Sequence, residues 1–379
     1  VGRSRAIDHA LLVLPVLVTV WLMATYLRRH ELAVDFHHDF WVAGGLVRHG
    51  LSPYNWTRAQ ISQQLSESFP YPAPAALLFV PFSLLPVAAA DIVFVALSIA
   101  ACLVALRLFR VSDWRVYSIV LLWWPVINGW QTANVTLLLL CGIAAAWRWR
   151  DRPIVAGVLT SILLSIKPIV WPLLLWFVLT RRLRAAGTSI AAAAVINLLG
   201  WAVLGFGEID HWRRLLGLQT SVLWDRGYGL TALIAHVGGT RAAGTALEVL
   251  VSLVLVLACI RVRADSRRVF MVCVVLMLTS SPLLDNHYFA LLIAPIALVS
   301  PSLSAAWIAP LILWLCPATR ASGWEVALAW ALVSLLTIWL VRLPADEARW
   351  PDWATRHRRA ARNETGGREA LSRLRAPLV

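Results

Sequence analysis

Between Ala10 and Leu340 the sequence is a series of apolar runs cut by short connectors, and the positive charge in those connectors is nearly all arginine. Hydrocarbon offers a backbone no hydrogen-bonding partners, so such runs can cross a membrane only as helices or a closed barrel. Runs of this length, with few charges inside them, predict helices. Sixty per cent of the residues are hydrophobic, only 14% are charged, and the mean hydropathy is +0.72. Ordinary globular usage is far from this balance. The expected fold class is an all-α polytopic membrane protein. A basic start (Arg3, Arg5) leads into an apolar run too long for a signal h-region, with no small-residue cleavage site behind it, so no cleavable signal is expected. The five cysteines, Cys102, Cys141, Cys259, Cys273 and Cys316, lie in apolar runs without CxxC spacing and read as packing residues.

A net charge of +14 invites a nucleic-acid reading, but its placement argues against one. Four connectors, at 107–115, 148–152, 181–184 and 261–268, hold thirteen arginines against three aspartates. This is how the cytoplasmic loops of a membrane protein are marked, and it predicts a multi-pass plasma-membrane protein with both termini inside. Residues 1–342 form the expected membrane domain, and 343–379 a basic cytoplasmic tail that is solvated or touches lipid headgroups. The basic set holds 33 arginines and a single lysine, Lys167.

The first span is expected at Ala10–Leu27, followed by an outer loop at 28–75 with surface helices at Phe40–His49 and Thr57–Glu67. Four prolines break the apolar run Tyr71–Pro86 into a short helix that re-enters the membrane. Further spans are expected at Ala88–Leu108, Val116–Ile127, Val135–Trp147, Ile154–Ile166, Ile169–Thr180 and Thr188–Leu204. A second outer loop follows at 205–240, with another surface helix, and then runs at 247–260, 269–279, 290–298, 305–316 and 326–340. These make about twelve transmembrane or re-entrant helices, with juxtamembrane helices on the outer face. Several runs fall short of the ~20 residues that cross the hydrocarbon. Their turns must then lie within the membrane's depth and line a polar cavity.

Once that topology is drawn, the unusual polar residues collect on the outer side. The stretch Val34–Trp56 carries Asp35 and Asp39 four residues apart, with His37, His38 and His49; it reads as a catalytic loop or as an ordinary solvated one. Asn134, Lys167, Asp285 and His287 fall at outer turns. Ionisable groups at membrane depth are costly and are functional candidates by default. Each has a plainer reading: Lys167 can snorkel to the interface, His287 can be a satisfied core histidine, and Asn134 can cap a helix. Taken together, a carboxylate, a cation, an imidazole and an amide around one cavity suit an anionic substrate and a proton transfer. Trp123, Trp124, Trp171 and Trp176 either face a lipid groove or serve as packing and interface residues.

Six pieces in order, DFHHDFWVAGGLVRHGLSPY (35–54), YPAPAALLFVPFSLLP (71–86), NGWQTANVTLLLL (128–140), the 156–186 segment around LSIKPIVWP, RGYGLTAL (226–233) and SPLLDNHY (281–288), resemble glycosyltransferase family 87 of the GT-C superfamily. These are the polyprenol-phosphate-sugar-dependent mannosyl- and arabinofuranosyltransferases of actinobacteria. The resemblance runs from about residue 30 to about residue 300 and implies a GT-C membrane fold and inverting transfer from a polyprenyl-phosphate sugar to a hydroxyl of a lipid-linked glycan. It places the general base at Asp35, with Asp39 one turn later as the alternative. Lys167, His287 and Arg226 become contacts of the donor phosphate, and Asn134, Tyr54 and Tyr288 contacts of the sugars. No cofactor and no metal are expected, since there is no DxD motif; the partners are the donor, the acceptor and membrane lipids, with no nucleic acid. The competing readings are another GT-C enzyme with a different lipid-linked donor, a lipid or sugar transporter or flippase, and a non-catalytic membrane partner.

Overall fold

The computed structural model describes residues 2–63, 68–281, 283–317 and 320–343. The expected tail from 344 onward and the end of the Thr57–Glu67 helix lie outside these residues. Among them the regular structure is all helical. Helix α1 is Gly2–Arg28, and a π-helical turn at Phe36–Trp41 runs into α2, Val42–Arg48. Then come α3 (Arg58–Gln63), α4 (Ala73–Phe79), α5 (Val87–Leu108), α6 (Trp114–Leu121), α7 (Trp124–Gln131) and α8 (Thr136–Arg148). The middle of the chain forms α9 (Pro153–Ile166), α10 (Pro172–Leu179), α11 (Leu183–Leu204), α12 (Glu208–Val222) and α13 (Leu230–His236). It closes with α14 (Arg241–Arg261), α15 (Ser266–Thr279), α16 (Ile293–Val299), α17 (Ala305–Ile308) and α18 (Gly323–Arg342).

Four of these, α5, α11, α14 and α18, are long and apolar enough to cross a membrane, and α7 with α8 passes the same test as a pair bent by 115°. The other apolar helices, such as Pro153–Ile166 and Asn286–Val299, run only 10–17 residues. The sequence sets these ends directly. Proline stands in the first turn of α4, α7, α9 and α10, where its missing N–H costs nothing. Two of the three connector aspartates are caps: Asp113 accepts the Arg115 N–H to start α6, and Asp265 accepts the Arg267 and Arg268 N–H groups to start α15. The third, Asp151, lies 3.5 Å from Arg182.

Two expectations need correction. The span foreseen at Val116–Ile127 is broken at Leu122–Trp123 into α6 and α7, because Pro125 in the first turn of α7 starts a new helix there. The helix foreseen on the bilayer surface at Phe40–His49 forms, but Phe40, Ala43 and Gly44 are buried. Its apolar face packs on α4. Gly44 makes this possible: a Cβ there would sit 2.5 Å from the Phe79 carbonyl oxygen. Gly44→Ala must push α4 away, at a cost of roughly 1–3 kcal/mol. We expect a lower thermal-unfolding midpoint for the detergent-solubilised variant than for the wild type.

A cluster of aromatic rings anchors the segment around Asp35. Phe36 stacks on Phe94 of α5 at 4.4 Å, while Phe40 meets Phe79 at 4.5 Å and Tyr71 at 4.8 Å. Phe36 and Phe40 are four residues apart, as are Asp35 and Asp39, so one face of the turn grips the core while the adjacent face presents carboxylates. Of the four tryptophans, Trp123 and Trp176 are fully buried and donate to the Trp307 carbonyl and to Ser266, which makes them packing residues. The Trp124 ring meets that of Trp314 at 5.0 Å, tilted by 54°, and Trp171 is exposed.

Candidate active site

Asp35 is held from α7. Its N–H donates to the Thr132 carbonyl at 3.0 Å, and the Ala33 N–H to the Gln131 carbonyl. The chain then turns at Ala133, which takes the left-handed conformation (φ 53°) and aims Asn134 back at the aspartate. For a residue with a Cβ this conformation is strained, and such strain recurs where a side chain must be aimed. The Asn134 amide nitrogen donates to Asp35 Oδ2 at 3.0 Å, and the Thr136 hydroxyl donates to Asn134 Oδ1 at 3.1 Å, which fixes the amide's orientation.

Tyr71 ties this pair to the lysine. Its hydroxyl accepts from Lys167 Nζ at 3.0 Å and stands 3.5 Å from Asn134 Nδ2. Lys167 lies at the break between α9 and the turn before α10, where Pro168 ends the helix, and its ammonium sits over the Tyr288 ring at 4.4 Å and the Tyr71 ring at 4.7 Å. The His287 ring is 4.6 Å from that of Tyr288; His287 is 2% exposed, and its Nε2 has no hydrogen-bond partner. The structure therefore brings Asp35, Asn134, Lys167, His287 and Tyr288 around one region, although they span the sequence from 35 to 288.

Burial dominates the electrostatics. It pushes the Asp35 carboxyl up to about 6, against the Asn134 hydrogen bond that lowers it; Asp285 raises it further and Lys167 draws it down. Burial brings the Lys167 ammonium down to about 8, against the attraction of Asp285, Asp35 and Asp39. Asp39 thus lies within electrostatic reach of the same lysine as Asp35. Tyr71 stays protonated, because burial and the carboxylates both raise its phenol.

The remaining candidates stand around this centre. Arg226, half-buried before the Gly227 turn, has a buried Nη1 without a partner. Tyr54 is 2% exposed and donates its hydroxyl to the Tyr71 carbonyl at 3.0 Å, so it braces Tyr71 from behind. The histidines near Asp35 are engaged elsewhere: His37 Nδ1 is 3.5 Å from Asp91 Oδ2, His38 stacks by His37, and His49 meets Arg48. Among the described residues no group of three His, Cys, Asp or Glu side chains is placed to hold a metal ion. The sequence reading missed Tyr71. Its one signal was its position in the proline-broken YPAP piece, beside the helix that re-enters the bundle.

The model of the family described as glycosyltransferase family 87 matches residues 69–282, more than half of the chain. The chain belongs to glycosyltransferase family 87. Tyr71, Asn134, Lys167 and Arg226 lie within the matched residues of this family 87 chain, whereas Asp35, Asp39, Asp285 and His287 lie outside them and join the site only through the fold. The chain is also similar to an alpha-(1->3)-arabinofuranosyltransferase of Mycolicibacterium smegmatis, at 29% identity over 148 residues. That match covers 35% of this chain and 34% of the relative, so the family 87 chain matches about a third of the relative's length. No solved structure matches it.

Proposed function

We propose that this family 87 chain is an inverting membrane glycosyltransferase of GT-C type, with about twelve transmembrane or re-entrant helices, both termini cytoplasmic and the site at the outer face. It moves a sugar from a polyprenyl-phosphate donor to a hydroxyl of a lipid-linked glycan. The observation that carries the reading is the Asp35–Asn134–Tyr71–Lys167 chain of contacts: a buried carboxylate with a raised pKa, fixed by an amide and coupled to an ammonium.

In a single displacement the acceptor oxygen attacks the anomeric carbon while Asp35 takes its proton. The bond from that carbon to the phosphate oxygen breaks, and the electron pair leaves with the polyprenyl phosphate. A phosphate leaves as a stable anion, so no second carboxylic acid is required, unlike the pair used in glycoside hydrolysis. Its growing charge calls for donors. Lys167 supplies one; because it already faces Asp285, Asp35 and Asp39, the unpartnered His287 Nε2 and Arg226 Nη1 are needed as well. A β-linked donor then yields an α-linked product.

The sugar is arabinofuranose or mannose, and the arabinofuranosyl relative makes arabinofuranose the first donor to test. The experiment offers radiolabelled polyprenyl-phosphate arabinofuranose and polyprenyl-phosphate mannose, each with membrane lipid acceptors and with or without EDTA. Transfer from one donor, unaffected by EDTA, is expected. Absence of transfer from both by folded protein, across acceptors, would sink the reading.

A pH profile follows from the same groups. Asp35 must be ionised to accept a proton, so activity is lost as pH falls through about 6. Lys167 must be protonated to meet the phosphate, so activity is lost as pH rises through about 8. We expect a bell-shaped kcat/KM between these limits. Asn134→Ala removes a hydrogen bond that favours the ionised carboxylate, and its acid limb should move to higher pH.

A further inference from the structure

Asp285 stands within electrostatic reach of Asp35 and Lys167, and it takes no step of its own in the proposed chemistry. The backbone around it is fixed on both sides. The Tyr228 N–H donates to the Leu284 carbonyl at 2.6 Å, and the Asn286 amide donates to the Cys316 carbonyl at 2.6 Å. Gly227 (φ 69°) closes the turn against this loop, where any Cβ would stand 2.6 Å from the Leu284 oxygen and 3.4 Å from Asp285 Oδ1. The loop is built to hold position 285 still.

The carboxylate so held is exposed, and among the described residues it makes no hydrogen bond and no ion pair within 4 Å. Lys167, which feels its charge, donates instead to Tyr71 and lies over the rings of Tyr71 and Tyr288. The electrostatic effect of Asp285 on the proposed reaction is divided. It favours the protonated Lys167, but it makes Asp35 harder to ionise and it repels a phosphate. A carboxylate fixed and exposed at such a place suits the uncharged part of a ligand, one that brings hydrogen-bond donors. Sugar hydroxyls are such donors, and a carboxylate offers acceptors only. Two residues on, His287 is 2% exposed with an unpartnered Nε2 beside Tyr288, so the same loop presents a second unsatisfied group. In the reading above, the glycosyl part of the donor, joined to the phosphate that Lys167 and His287 would meet, supplies such hydroxyls.

We propose that Asp285 is a specificity-determining residue that accepts hydrogen bonds from one or two ring hydroxyls of the donor's sugar. The proposal rests on the sugar-transfer reading above. It differs from a base role, because the group Asp285 meets is a hydroxyl that keeps its proton.

The test crosses the side chain with the substrate. Wild type, Asp285→Ala and the isosteric Asp285→Asn are assayed with the active polyprenyl-phosphate donor and with a set of its monodeoxy analogues. In the wild type one deoxy donor should lose roughly 10- to 100-fold in kcat/KM, the range for a hydrogen bond to a charged group. Asp285→Ala should lose about as much with the parent donor and nothing further with that deoxy donor. Asp285→Asn, which keeps the shape and one acceptor, should fall between and guards against misfolding of the alanine variant. If every deoxy donor costs each variant the same factor as it costs the wild type, Asp285 touches no sugar hydroxyl and the proposal is overturned. A wild type that transfers no sugar at all overturns the reading beneath it, which separates the two failures.

Discussion

Asp35→Asn should cut transfer severely while the protein still folds and still binds its donor. The amide has the carboxylate's shape, so the Asn134 contact and the packing of Phe36 and Phe40 survive, but it cannot take the acceptor's proton. General bases contribute roughly 10²–10⁴-fold, so kcat should fall by that factor with KM for the donor little changed. Asp39→Asn is the control. Asp39 shares the electrostatic reach of Lys167 and Tyr71, but the Asn134 amide donates to Asp35, and loss of the Asp39 carboxylate should cost about tenfold or less. The reverse ranking would move the base to Asp39 and leave the class of reaction intact.

Lys167→Met is the second large effect. Methionine keeps the length and apolar bulk of the side chain, so the ring contacts with Tyr71 and Tyr288 are filled, while the charge and its donation to Tyr71 are lost. Loss of a donor aimed at developing charge costs roughly 10²–10³-fold in kcat. The pH profile should also change shape. The basic limb near 8 disappears with the group that titrates there, and the acid limb moves up because Asp35 loses a neighbour that favoured its ionised form. A fall in activity without either shift would make Lys167 a packing residue.

Much of this was legible in the residues themselves. Apolar runs marked most of the long helices, and the arginine connectors marked the breaks between α5 and α6, α8 and α9, α10 and α11, and α14 and α15. Asp35, Asn134, Lys167 and His287 stood out because ionisable and amide groups are rare at such turns. Tyr71 did not, since a tyrosine beside prolines is unremarkable until the fold brings it to Lys167, 96 residues away in sequence. The helix at Phe40–His49 shows a related limit. Its apolar face was plain, but periodicity does not say whether lipid or protein covers that face, and the answer lay in a glycine that admits α4. Asp285 was visible as a carboxylate at a turn between apolar runs. Its lack of a partner is a property of the folded loop alone.

The most direct test of the account is the anomeric configuration of the product formed by wild type and by Asp35→Asn. Each is given the same β-linked polyprenyl-phosphate donor, and the product is read by the coupling constants of the new linkage. A single displacement with one base predicts an α-linked product from the wild type and at most a trace of it from Asp35→Asn. A β-linked product, or transfer that persists at the wild-type rate in Asp35→Asn, would contradict it.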